Sequence, residues 1–158
     1  MDQTKDTSLR EHLVKLMDGG EAHLRFDDLI NGFPVDRCGE KIPGLPYTAW
    51  QVLEHIRIAQ WDIMEFARNA DYVSPKWPEG YWPKPNELGN ETLWKETVAK
   101  IKADLAALIK IIQDPSTDLF ARIPHGTGQT WLRQALLTAD HNSNHIGSLT
   151  VMKRLLQS

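Results

Sequence analysis

Apolar residues recur at three- and four-residue spacing in four stretches of the chain, and segments rich in proline and glycine separate them. The clearest stripe is Val52, Ile56, Ala59, Ile63 and Phe66, the seam of a packed helix. Thr48, directly after Leu45-Pro46-Tyr47, is a good cap for that helix, which should end around Asn69. An earlier stripe comprises Leu9, Leu13, Leu16, Met17, Leu24 and Ile30. It predicts a first helix from about Ser8 to Ile30, capped by Thr7 or Ser8, with Glu11 placed for a capping box. Gly19-Gly20 weakens its middle by about 1 kcal/mol per glycine, so a kink or break is expected there. A third helix from Glu91 to Gln113 is carried by Leu93, Trp94, Val98, Ile101, Leu105, Leu108 and Ile112. The fourth starts at Thr130 and persists nearly to Ser158. Its buried side is predicted as Leu132, Leu136, Ala139, Ile146, Leu149 and Leu156, and Lys153 and Arg154 suit its C-terminal dipole.

The connections are irregular. Gly32 to Pro46 is rich in glycine and proline, and Ser116 to Gly128 has room for a short extended piece. Between Asp71 and Gly89 run Pro75, Pro78, Pro83 and Pro85, which forbid a helix. A loop this long in a compact domain is usually functional or disordered, and its Trp77, Tyr81 and Trp82 argue for packed order across one end of the helices. Four amphipathic helices and no convincing strand pair predict an all-α fold, a four-helix bundle with long crossover connections, as one domain over residues 1–158.

Composition narrows the function classes. A content of 41% hydrophobic and 25% charged residues is that of an ordinary globular domain. A net charge of -3 gives no electrostatic reason to expect nucleic acid or an anionic membrane as partner. No apolar run reaches the ~20 residues a spanning helix needs, and the polar N-terminus does not resemble a signal peptide. A cytoplasmic location is the resulting expectation. The single cysteine, Cys38, excludes an intrachain disulfide and a cysteine-based zinc site. Six tryptophans are unusual; Trp50, Trp77, Trp82 and Trp131 fall in loops or at helix edges, where a ring roofs a pocket or fills a gap.

The histidines carry the candidate chemistry. His141 and His145 are four apart in the fourth helix, so their rings share one face and can ligate one ion. His55 lies between Val52 and Ala59 on the seam side of the second helix, away from Glu54 and Arg57. If those helices are neighbours, three imidazoles converge, and three neutral ligands plus water form an open site of the catalytic kind. The alternative is a His55 bonded to backbone or carboxylate beside two solvated histidines. Among the rest, His12 is expected to be solvated and His125 a loop residue. His23 is a candidate for lining the same cavity. Asp62, two turns beyond His55, could orient a histidine or a metal-bound water, or pair with an arginine. Asp140, Asn142 and Asn144 should point away from the ligand pair. Phosphate-binding glycine loops, a serine elbow, a zincin glutamate and the Glu-x-x-His pairs of di-iron bundles are all missing from the sequence.

These residues resemble a family. A histidine in Trp50-Gln51-Val52-Leu53-Glu54-His55, together with Asp140-His141-Asn142-Ser143-Asn144-His145-Ile146-Gly147, is similar to the DinB/YfiT-like superfamily of bacterial four-helix bundles. Thr130 to Ala135 resembles the start of that family's fourth helix, and the likeness covers nearly the whole chain. It implies one divalent metal, zinc or nickel foremost, held by His55, His141 and His145, and often a homodimer. Characterised relatives include metal-dependent transferases and isomerases that use low-molecular-weight thiols such as bacillithiol and mycothiol. Two functions are thus expected for comparison. One is a thiol S-transferase or metal-assisted hydrolase, with Asp62 and His23 the only candidates for a general base and the Trp77, Tyr81 and Trp82 loop shaping a pocket. The other is a non-catalytic metal-binding or stress-associated bundle.

Overall fold

The computed structural model describes residues 2–158, and they form an all-helical protein. The helices are α1 (Gln3–Asp18), α2 (Phe26–Ile30), α3 (Ala49–Arg68), α4 (Glu91–Gln113) and α5 (Trp131–Gln157). Single 3₁₀ turns occupy Val35–Arg37 and Glu79–Tyr81. Extended pairing among the described residues is limited to one bridge, Arg122 with Thr130.

The boundaries of α3, α4 and α5 agree with the apolar spacing. Thr48 caps α3 in a full capping box: its hydroxyl accepts from the Gln51 amide at 3.2 Å, and the Gln51 side chain accepts from the Thr48 amide at 3.0 Å. Thr48→Ala should lower stability by ~1 kcal/mol, read as a shifted urea midpoint at unchanged slope. The first helix differs from expectation. It begins five residues earlier, with Asp2 as the cap, and Thr7 and Ser8 lie inside it. It also ends at Asp18, because Gly19 and Gly20 adopt φ of 76° and 90° and turn the chain out of the helix. Leu24 and Ile30 therefore belong to a separate segment. Leu136 departs as well: it is 45% exposed, on the outer side of α5.

α3 packs on both α5 and α4, and α1 packs on the same two helices from the other side. Two apolar clusters fill the interior. One centres on Leu53, Ile56, Trp94, Ile101 and Leu149, closed by Phe33 and Cys38 from the segment after α2. The other gathers Leu13, Met17, Met64, Leu108, Ile112 and Ala139. A buried polar layer lies at the level between them. Gln60 donates to the Ile101 carbonyl at 2.9 Å and accepts from Asn142, and Gln134 donates to the Ile63 carbonyl. Those pairings fix α3 and α5 as antiparallel neighbours, since Ile63 meets Gln134 while His55 meets His141. Buried amides are tolerated only when satisfied, so this layer specifies the register of the two helices.

The 69–90 connection is ordered, but it runs along α3 instead of crossing an end of the helices. The Tyr81 hydroxyl reaches Asp62, the Lys84 carbonyl accepts from Gln51, and the Leu88 carbonyl accepts from Thr48. Gly89 at φ 90° permits this closeness, because a Cβ there would strike the Trp50 side chain.

Candidate metal centre

His55 enters from the middle of α3, and His141 and His145 enter from one face of α5. Antiparallel packing brings all three to one spot, where one ring nitrogen from each lies within 4.8 Å of the others. The Nε2 atoms of His55 and His141 stand 3.0 Å apart. Two nitrogens on one tetrahedral ion at ~2.0–2.1 Å are about 3.3–3.4 Å apart, so His55 and His141 stand near that spacing, while a pair at the 4.8 Å limit would have to close by more than about 1 Å.

The outer nitrogens decide whether the residues fit such an ion. His55 Nδ1 lies 2.7 Å from the Tyr81 carbonyl, which accepts only, so Nδ1 carries the proton and Nε2 the lone pair. His141 Nδ1 is buried without a hydrogen-bond partner, and so is the Oδ1 of Asn142 beside it. No partner on Nδ1 fixes the tautomer of His141, and with His55 Nε2 bare the 3.0 Å contact is met by His141 Nε2–H donating to it. A cation would take the place of that proton, with the lone pairs of both Nε2 atoms turned to it and the His141 proton moved to Nδ1. The donor set of three neutral imidazoles fits such a cation.

Burial lowers the pKa of all three imidazoles. For His141 and His145 the neighbouring rings lower it further, bringing His145 to about 4. At neutral pH the rings are uncharged ligands. Trp82 stacks flat on His55, with centroids 3.9 Å apart and planes 1° from parallel, and stacks on Tyr47 at 3.8 Å. The ring is thus clamped on its face by an indole and on its edge by a carbonyl.

The three histidines form one wall of a cleft of about 650 Å³, which continues past Asp62, Ile63 and Leu137 to Phe66 and Arg133, under Trp77 and Tyr81. The metal-ligand group among the described residues contains no carboxylate. Asp62, though buried and on the cleft, accepts the Tyr81 hydroxyl at 2.8 Å, so it neither orients a histidine nor pairs with an arginine. Burial and that carboxylate hold the Tyr81 hydroxyl protonated, well above the usual range for tyrosine. Tyr81→Phe would leave a buried carboxylate with neither oxygen bonded. It should cost ~1–3 kcal/mol in thermal unfolding while leaving the carbonyl contact to His55 in place.

Other sequence expectations resolve plainly. His23 does not line the cleft: the Gly19-Gly20 break puts it in a surface turn, with Nδ1 3.0 Å from the Leu24 carbonyl. His12 is exposed on α1, and His125 binds the Phe66 carbonyl from the 116–128 link. Asp140 and Asn144 are exposed, whereas Asn142 points inward to Gln60. Cys38 is fully buried, and burial pushes its thiol up to about 11, so it is inert packing. The Tyr81 carbonyl contact to His55 and the place of Arg133 were not anticipated from the sequence. Only the last left a signal, because Arg133, Leu137, His141 and His145 recur every four residues on α5.

No family model, curated protein or solved structure matches the chain. The geometry carries the functional argument by itself. None of the helices among the described residues is long and apolar enough to cross a membrane.

Proposed function

We propose that the chain is a DinB/YfiT-like four-helix bundle with long crossover links. In this reading it binds one divalent metal, zinc or nickel foremost, through His55, His141 and His145, and uses it in transfer to or from a low-molecular-weight thiol. The observation behind the metal is the convergence of three imidazole nitrogens at one spot, with His55 Nε2 kept bare by the Tyr81 carbonyl on its Nδ1. The support for chemistry beyond storage is the cleft: three protein ligands leave ligand positions open, and the space beside them is large enough for a small organic substrate.

A divalent ion bound there supplies Lewis-acid chemistry, lowering the pKa of a thiol or water. The chain's own residues supply the rest. His55 holds its Nε2 lone pair inward because the Tyr81 carbonyl occupies its Nδ1. Trp82 keeps the His55 ring from turning. Trp77 and Tyr81 roof the cleft and exclude water from its inner end. Asp62 positions the Tyr81 segment through the hydroxyl contact, and proton removal falls to no other cleft carboxylate. A homodimer accords with the resemblance to this family. A hydrolase would use the same ligands with water as nucleophile, and a non-catalytic metal-binding bundle would need the ligands but not the cleft.

The test is metal analysis of untagged protein purified without chelator, followed by cobalt substitution and titration with a small thiol. About one equivalent of zinc or nickel, and a sulfur-to-cobalt charge-transfer band on adding thiol, is the expected result. Negligible metal even after incubation with zinc and nickel would end the metal reading. Metal without any thiol-dependent band would leave a hydrolase or a storage site and end the transferase.

A further inference from the structure

Arg133 lies in the first turn of α5, and its position is unlike that of the other cleft residues. Arginines 10, 25, 37, 57 and 68 each pair with a carboxylate; Arg122, Arg133 and Arg154 make no ion pair among the described residues, and of these three Arg133, an exposed side chain, is the one that lines the cleft. Its guanidinium is nevertheless held. Nη1 donates to Gln134 Oε1 at 2.8 Å, and Gln134, itself buried, is anchored through Nε2 to the Ile63 carbonyl at 2.6 Å. A neutral amide therefore fixes the side chain without neutralising it, leaving donors of the fork free.

Between Arg133 and the histidines the cleft is lined by apolar Ala59, Ile63, Phe66 and Leu137 and by the carboxylate of Asp62, and Trp77 stands at its lip, 72% exposed. An indole so exposed beside a cleft is surface that a bound molecule would cover. Arg133 precedes His141 by eight residues, about 12 Å along the helix axis at 1.5 Å per residue. Asp62, the one acidic side chain lining the cleft, is already engaged with Tyr81.

We infer that Arg133 is the anion-recognition residue of the cleft, and that the substrate is an elongated organic anion. Its carboxylate, sulfonate or phosphate group binds the guanidinium, and its apolar body runs under Trp77 toward the three histidines. This names the substrate class for the proposed active site and rests on the reading of that cleft as its substrate site. It does not require the metal to be present for anion binding. A fork that is preorganised, uncompensated and flanked by apolar walls discriminates strongly between a charged ligand and its neutral isostere, since bidentate guanidinium–oxyanion pairs are both stronger and more directional than neutral hydrogen bonds.

The experiment is calorimetric titration of the full chain with 6-phenylhexanoate and with 6-phenylhexanamide, at pH 7.5. Zinc-loaded and chelator-treated protein are run in parallel, with circular dichroism to check the fold. The expected result is at least a tenfold preference for the carboxylate in both forms. Arg133→Gln should abolish that preference and leave the amide's affinity within threefold. Arg154→Gln, at the far end of α5, should leave it intact. Four results would overturn the inference: no preference, no binding of either probe at millimolar concentration, a preference that survives Arg133→Gln, or one that Arg154→Gln removes equally. A preference seen only with zinc and kept in Arg133→Gln would assign the carboxylate to the metal. Failure of metal analysis alongside an Arg133-dependent preference would sink the metal reading and leave this inference standing.

Discussion

His141→Ala should lower metal affinity by more than about a hundredfold while leaving the metal-free protein folded with little change in melting temperature. The two halves of this outcome have different causes. Loss of one of three protein ligands must exceed the 10–100-fold effect typical of removing an outer partner. The stability half follows from what His141 does without a metal. Its Nδ1 is buried and unpartnered, and its one polar contact is the 3.0 Å hydrogen bond to His55, so its net contribution is about that of a single hydrogen bond, ~1 kcal/mol, set against its desolvation. Bound ligand stabilises by RT ln(1 + [L]/Kd), so zinc at a hundredfold excess over the parent's Kd should add about 2.7 kcal/mol to the parent and less than about 0.4 kcal/mol to the variant. Paired thermal melts with and without zinc, beside metal analysis, read both halves. A variant that keeps its metal would remove His141 from the site. A variant that unfolds without metal would make the ring a core residue whose neighbours the proposed tautomers misassign.

The parts of this molecule that periodicity encodes were readable before any coordinates. α3, α4 and α5 are long, their apolar positions repeat consistently, and Thr48, Asn90 and Thr130 each supply a side-chain cap. The spacing puts His55 on the seam side of its helix and His141 and His145 on one face of theirs, so their convergence is expected if α3 and α5 are neighbours, as they are. The failures have equally local causes. Two adjacent glycines cost more than the Leu24 and Ile30 repeat could return, so α1 ends at Asp18, and His23 leaves with the turn. Leu136 follows the heptad-like spacing yet lies outward, since a helix flanked by neighbours on only part of its circumference leaves some apolar positions in water. The outer contacts of the site were beyond reach for another reason. The Tyr81 carbonyl is a backbone group in an irregular loop, and Trp82, stacked on His55, comes from the same loop. Neither leaves a periodic trace. Cleft residues from separate helices, such as Asp62 and Arg133, acquire meaning only when packing sets them side by side.

Metal retention should stay flat as the pH falls through 6.5 and then drop steeply, by up to about a thousandfold per pH unit where all three imidazoles titrate. Binding requires each ligand in its neutral form, so each contributes up to one decade per unit below its own pKa. Solvated imidazoles would begin to compete at about 6.5. Here burial lowers His55, His141 and His145 alike, and the last reaches about 4, so the onset of proton competition shifts to lower pH. The same shifts bear on the metal-free fold, and the sign runs the same way. The unfolded chain takes up these protons near 6.5 whereas the folded chain resists them, so between 6.5 and about 4 the unfolded state binds more protons and stability falls as pH falls. Above 6.5 the contribution is fully present. Release of metal and loss of the metal-free fold are thus expected in overlapping windows, and they separate by measurement: dialysis against a weak chelator at stepped pH reads the metal, and far-UV circular dichroism reads the helices. Release below 6.5 from a protein still fully helical is proton competition at the ligands. Release centred at 6.5 would mean that the three rings titrate as free imidazoles, and the packing of Trp82 and Tyr81 around them would not exist in solution.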